Sequence, residues 1–181
     1  MRRERTAVLY TERLCLRAMT EADETDALEI LLSEDVAKTY MLPAFSSREA
    51  AVKLFERIKE LSASPQRFVY GVYVNERLIG FFNEVDVQKD AIELGYVIHP
   101  AHWNKGYATE ALRALIRELF DMGYARVNAG AFEGNRASMR VMEKSGMLLT
   151  GETEIVPYRG KEYRCICYTI TNAMRTETEC S

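Results

Sequence analysis

The stretch Glu93-Leu94-Gly95-Tyr96-Val97-Ile98-His99-Pro100-Ala101-His102-Trp103-Asn104-Lys105-Gly106-Tyr107-Ala108-Thr109-Glu110-Ala111 changes character partway along. From Ala91 to Ile98 the residues form a short apolar run that Pro100 closes, the mark of a strand. From about Thr109 to Met122 the pattern is helical: Leu112, Leu115, Ile116 and Leu119 form one stripe, and Gly123 offers a C-cap. A strand, a short loop and a helix therefore follow in order. The start of such a helix presents unpaired N–H groups and the positive end of its dipole. Gly106 permits close backbone approach, and the small Ala108 leaves space beside it. Asn104, Lys105, Gly106, Tyr107, Ala108 and Thr109 could thus aim several N–H donors at one anion, with the Thr109 hydroxyl and the Lys105 cation adding to them. From these residues alone, a phosphate cradle and an ordinary glycine turn before a surface helix both stay open. Neither a Walker pattern nor G-x-G-x-x-G occurs, which argues against a nucleotide-hydrolysing or Rossmann site.

Upstream, Arg13-Leu14-Cys15-Leu16-Arg17 alternates charged and apolar residues and predicts a first strand. Thr20 opens a helix through Leu32 with acidic residues in its first turn. Ser46-Ser47-Arg48-Glu49 has the form of a capping box and starts a second helix, with Ala50, Val52, Leu54, Phe55, Ile58 and Leu61 as its stripe and an end before Pro65. Phe68 to Val74, Leu78 to Val87 and Ala91 to Ile98 read as an antiparallel meander. Downstream, Arg126 to Phe132 reads as a strand, Asn135 to Ser145 as a short helix, and Met147 to Val156 with Glu162 to Ile170 as a closing hairpin. The strand–helix–strand step over 91–132 needs a crossover and hence parallel pairing. The expected sheet is therefore mixed, with helices on both of its faces.

No repeat, low-complexity tract or linker divides the 181 residues, so one domain is expected over 1–181, with a polar tail from about 172. A net charge of -3 argues against a general nucleic-acid or anionic-membrane surface. No signal-peptide run follows the N-terminus, and no stretch approaches the roughly 20 apolar residues of a membrane span, so a soluble, cytoplasmic protein is expected. Cys15, Cys165, Cys167 and Cys180 match no zinc spacing. Cys165 and Cys167 point to one strand face, and all four read as reduced, packing thiols. His99 and His102 read as loop residues rather than metal ligands.

The run from Glu93 to Ala111 resembles the acetyl-coenzyme A site of the GNAT acetyltransferases, and most of all that of the RimJ/RimL-like branch. The superfamily pattern Q/R-x-x-G-x-G/A reads Trp103-Asn104-Lys105-Gly106-Tyr107-Ala108 here; the Trp departs from Gln/Arg but is usual in that branch. Asn135-Arg136-Ala137-Ser138 with Glu143-Lys144-Ser145-Gly146-Met147 resembles the branch's N-x-x-S…E-K-x-G-F element. Thr11-Glu12-Arg13-Leu14-Cys15-Leu16-Arg17 resembles its opening strand. Together the three segments cover residues 11 to 170.

The resemblance implies an α+β, GNAT-like fold: a central mixed, mostly antiparallel sheet of about seven strands, with helices on both faces and a splayed parallel pair that holds the cofactor. It implies acetyl-CoA as acetyl donor, CoA as product and no metal. Tyr96, Val97, Ile98 and His99 would pair with the pantetheine arm through their backbone. Trp103, Asn104, Lys105, Gly106, Tyr107, Ala108 and Thr109 would hold the pyrophosphate, while Asn135, Ser138, Met142 and Lys144 would contact the cofactor from the following helix. Asn135 also suits a plain N-cap. Glu93 stands at a position resembling the superfamily's catalytic glutamate, and Ser138 would take the acid's place, because Met142 occupies the position where many members carry Tyr. The implied reaction is direct attack of a primary amine in a ternary complex. The acceptor would be a protein N-terminal α-amine, or alternatively a small amine such as a polyamine, amino acid or antibiotic; a non-catalytic acetyl-CoA sensor is a third reading. No nucleic-acid or membrane partner is expected, and the protein would be a monomer or a homodimer.

Overall fold

A computed structural model describes residues 3–173; the tail from 174 onward, with Cys180, lies outside the described residues. Strands run β1 Val8–Tyr10, β2 Cys15–Arg17, β3 Val69–Val74, β4 Arg77–Val87, β5 Ala91–Ile98, β6 Arg126–Phe132, β7 Leu148–Tyr158 and β8 Lys161–Thr171. Helices are α1 Glu24–Leu31, α2 Glu34–Ala37, α3 Arg48–Ala63, α4 Tyr107–Asp121 and α5 Arg136–Lys144. They build one sheet of order β1-β2-β3-β4-β5-β6-β8-β7, antiparallel except where β5 meets β6.

Local chemistry explains most boundaries. Asn75 and Glu76 both take positive φ, 48° and 66°, and Arg159 and Gly160 do the same at 48° and 74°. Two-residue turns of this hand match the twist of the strands they join, so β3–β4 and β7–β8 close as tight hairpins. The Ser47 side chain accepts from Ala50 N–H and caps α3, so the helix starts from Ser47 rather than Ser46. Gly123, at φ +98°, follows the last turn of α4 and supplies the left-handed residue expected there.

The expected seven strands are eight. β1, only three residues long, pairs Val8 with Arg17, and its exposed, intermediate, exposed burial gives a weak alternation signal. The first strand shortens to Cys15–Arg17, because Thr11 and Leu14 form a turn before it. The α3 stripe is shifted as well: Ala51, Phe55 and Ser62 are buried, while Val52, Leu54, Ile58 and Leu61 are half-buried.

Two cores flank the sheet. On one face α4 and α5 pack Leu112, Leu115, Ile116, Leu119 and Met142 onto Ile92, Leu94, Val127, Ala129 and Tyr168. On the other, α1, α2 and α3 pack Ile30, Val36 and Phe55 onto Val69, Tyr73, Phe81 and Val97. The second core draws no residue from β6 or β8. Among the described residues no helix packs on their outward side, the face opposite α4 and α5.

Candidate active site

Parallel pairing of β5 with β6 runs from Ala91–Arg126 to Leu94–Ala129 and stops. Beyond it β5 stays with β4 as far as Gly80–Ile98, while β6 stays with β8 as far as Phe132–Cys165. The two strands diverge, and the gap opens into a cleft of about 1470 Å³. His99 N–H donates to Ile79 O at 2.7 Å. Antiparallel ladders alternate which residues face the partner, so the backbone groups of Tyr96 and Ile98 turn away from β4 and into the gap. The Ile98 carbonyl there is taken by Trp103 Nε1 at 2.6 Å; the alternation leaves Tyr96 N–H, Tyr96 C=O and Ile98 N–H on the gap side.

At the mouth of the gap stands the start of α4. The helix begins at Tyr107, two residues before the expected Thr109, and Gly106 is its N-cap with φ +80° and no side-chain cap bond. Asn104 also takes a positive φ, 60°. The first-turn N–H groups of α4 face the cleft, which Asn104, Gly106, Tyr107, Ala108 and Thr109 line. A clamp from the other end of the sheet fixes this loop. Arg13 pairs with Glu110 at 2.7 Å and donates to the Lys105 carbonyl at 2.9 Å. Glu110 accepts from Thr11 Oγ1 at 2.6 Å and from Arg13 N–H at 2.8 Å. Desolvation works against the Glu110 charge, but bonds from Thr11 and Arg13 outweigh it and hold the carboxyl below the usual range. The cradle and the splay thus have the form a pyrophosphate with an extended arm requires: oriented donors at a helix start, then a strand edge with free amides.

The other expected residues distribute as follows. Asn135 caps α5, accepting from Ser138 N–H at 3.1 Å, and reaches the Thr39 carbonyl at 3.4 Å. Ser138 Oγ lies 2.6 Å from Tyr96 Oη. Both line the cleft with Lys144, Trp103, Val97, Ile98 and Glu93. Three residues do not reach its wall. Lys105 Nζ bonds the Ala101 carbonyl at 2.9 Å, His99 Nδ1 accepts from Ala101 N–H at 3.2 Å, and Met142 is fully buried behind α5. His102 lines the cleft, and burial lowers its pKa, as does Lys105 beside it. Among the described residues no group of His, Cys, Asp or Glu is placed to hold a metal ion.

Glu93 alternates with the buried Ile92 and Leu94 and so points to the open face. It is half-buried, and burial, then Glu154 and Asp86, push its pKa up. Along this wall lie Asp86, Glu152, Glu154, Cys165 and Cys167. Asp86 accepts from Gln88 Nε2 at 3.0 Å. Burial first raises both thiols; Cys167 and then Glu154 and Glu93 add to it at Cys165, and Glu154, Glu93 and Glu152 add to it at Cys167. Over the far end, Tyr158 at the β7–β8 tip donates to the Ala37 carbonyl at 2.9 Å and accepts from Leu42 N–H at 3.3 Å, tying the hairpin to α2. Tyr163 packs against Phe132 in a tilted pair with centroids 4.6 Å apart, and Tyr168 Oη meets Glu143 at 3.0 Å. The sequence reading missed the Arg13–Glu110 clamp, the carboxylate wall and the Tyr158 tie. Arg13 and Glu110 did lie in the two quoted segments, and Glu93 was the one member of the wall singled out; nothing in the sequence joined them to their partners.

Comparison with known proteins agrees with this geometry. The profile described as "Acetyltransferase (GNAT) domain" matches residues 13–148. The uncharacterized N-acetyltransferase YoaA of Bacillus subtilis is 28% identical over 169 residues, covering 90% of this chain and 96% of the relative. The uncharacterized N-acetyltransferase p20 of Bacillus licheniformis is 32% identical over 155 residues, covering 77% of this chain and 84% of the relative. The structure of RimL, a ribosomal L7/L12 alpha-N-protein acetyltransferase in complex with coenzyme A, superposes with a TM-score of 0.78 at 17% identity, covering 91% of this chain and 97% of RimL.

Proposed function

The chain belongs to the GNAT acetyltransferase family, and from that premise we propose that it transfers the acetyl group of acetyl-CoA to a primary amine by direct attack in a ternary complex. One observation carries the reading: the β5–β6 splay after Leu94–Ala129 and the uncapped start of α4 open into one continuous cleft. When bound, acetyl-CoA supplies an activated thioester. The residues of the chain do the rest. The α4 N-terminus with Asn104, Gly106 and Thr109 binds the pyrophosphate. Tyr96 pairs with the arm through its backbone N–H and C=O, and Asn135, Ser138 and Lys144 border it from α5. Ile98 N–H is the donor for the oxygen that gains charge during attack.

Glu93 is the proposed base. Same-face neighbours on a strand are about 7 Å apart, so Glu93 stands about 14 Å along β5 from Val97 and takes the proton through a chain of waters rather than by direct contact. Its raised pKa suits proton acceptance better than that of an ordinary exposed glutamate. The demand on it depends on the acceptor. At pH 7 an α-amine costs about 1 kcal/mol to deprotonate, a lysine-like amine about 4–5 kcal/mol.

The wall of Asp86, Glu93, Glu152 and Glu154 on the open face supports an acceptor that carries a second positive charge, such as a polyamine or an antibiotic amine. A protein N-terminal α-amine is the second reading, favoured by the helix-free face over β6 and β8 and by the fold shared with RimL. A thiol-release assay with acetyl-CoA tests both, using a panel of diamines, aminoglycosides and short peptides. Turnover confined to multiply charged small amines supports the first, turnover confined to peptides the second. No thiol release with any amine, despite acetyl-CoA binding, would leave only a binding module.

A further inference from the structure

This inference rests on the reading above and deepens it at one residue. Met142 is fully buried, so that position of α5 offers the cleft no acidic group. A phenol nevertheless reaches the first turn of α5, from β5. Tyr96 Oη lies 2.6 Å from Ser138 Oγ and 3.2 Å from the Ser138 carbonyl oxygen. Tyr96 sits two residues beyond the last parallel pair, Leu94–Ala129, so its side chain spans the splay where the sheet has parted. Its ring stacks on Phe82 at 4.9 Å between centroids, which fixes where the hydroxyl ends. Ser138 is held independently, its N–H bound to Asn135 Oδ1.

A serine hydroxyl has one hydrogen to donate and two lone pairs to accept with. With the phenol hydrogen on the shorter contact, Ser138 Oγ accepts it and its own hydrogen is free for a third group in the cleft. We propose that Tyr96 is a positioning residue for acetyl transfer: it orients and polarises the Ser138 hydroxyl, which donates a hydrogen bond to the sulfur as the carbon–sulfur bond breaks. The amine nitrogen forms the new bond to the acetyl carbon, and the electron pair of the broken bond goes to sulfur. The proton the amine loses restores the thiol through solvent, so Tyr96 and Ser138 end the step with both their hydrogens. Burial pushes the Tyr96 phenol up to about 12, which keeps it a donor throughout the neutral range. Charge-assisted hydrogen bonds are about twice as strong as neutral ones, so the contact strengthens as the sulfur gains charge.

A plain structural role, pinning α5 to β5, predicts a different pattern. The test compares Tyr96→Phe, Ser138→Ala and the double variant by three measurements: steady-state kinetics, thermal unfolding, and ultraviolet titration of the thiol of bound CoA. Tyr96→Phe retains the ring stack and is expected to fold. Its kcat should fall about tenfold with KM for acetyl-CoA within about twofold, and the double variant should be no worse than Ser138→Ala. The thiol pKa of bound CoA, depressed in the wild type, should rise by about one unit in Tyr96→Phe, the same tenfold factor read at equilibrium. A lowered melting temperature with kcat and the bound-thiol titration at wild-type values would overturn the inference and leave only the pin. Should the wild type transfer acetyl to no amine, the parent reading fails, and the titration of bound CoA still decides whether Tyr96 and Ser138 act on the sulfur.

Discussion

Gly106→Ala separates backbone strain from ligand binding at the cradle. Gly106 sits at φ +80°, where an L-residue costs about 1–2 kcal/mol. Direct crowding adds little: the added Cβ would meet Arg13 Nη2 at 3.3 Å, a contact relieved by a shift of the guanidinium within its bonds to Glu110 and Lys105. For a chain of this length about 1 kcal/mol moves the melting temperature by about 2–4 °C, so the apo variant should melt about 2–8 °C below wild type. Gly106→Asn should lose less, because Asn tolerates the left-handed region better. The ligand effect is separate. At 100 times Kd, acetyl-CoA adds about 2.7 kcal/mol to wild-type stability, and a tenfold weaker Kd leaves about 1.4 kcal/mol at the same concentration. The cofactor-induced shift should therefore fall to about half in Gly106→Ala, as measured by thermal unfolding with and without ligand. If the apo melting temperature is unchanged, the argument from strain is refuted. If the ligand-induced shift is unchanged, the cradle is refuted.

Glu110→Ala strands Thr11, Arg13 N–H and the Arg13 guanidinium. Because Arg13 is 45% exposed, the cost at pH 7 is about 1–2 kcal/mol rather than that of a buried pair, and acetyl-CoA affinity should fall with it. Glu110 is depressed in the fold, so its contribution is present above the ordinary glutamate range and disappears as pH falls through the lower folded value; denaturant melts of wild type and variant should converge there. The pH dependence of kcat/KM should have an acidic limb above the usual carboxylate range, since burial first, then Glu154 and Asp86, raise Glu93. Glu154→Gln should move that limb to lower pH without restoring the ordinary value, and Glu93→Gln should remove it. Tyr158→Phe breaks the bonds to Ala37 and Leu42, costing about 1 kcal/mol. Initial-rate kinetics should show a raised KM for the acceptor amine and an unaffected KM for acetyl-CoA.

What the sequence determined was set by short-range physics. The periodicity changes place β5 and β6 with residue precision, the Asn135 cap starts α5 where expected, and Gly123 ends α4. Each signal lies within about four residues of the structure it controls. The crossover from β5 through α4 to β6 required a parallel pair, and the resemblance at Glu93–Ala111 implied its splay. Tertiary structure decided what depends on distant partners. Three-residue β1 is a strand because β2 pairs with it. Glu110 reads as a first-turn helix acid, and it became the anchor of the loop before α4 because Arg13, 97 positions away, meets it. Met142 and Tyr96 both stood among the expected cofactor contacts. Packing buried the first, and the strand's alternation sent the phenol of the second to Ser138. The carboxylate wall draws on β4, β5 and β7, whose charges are unremarkable singly and act together only because the sheet sets them on one face. Coulomb energy depends on separation in space and on the water removed between the charges, and folding sets both.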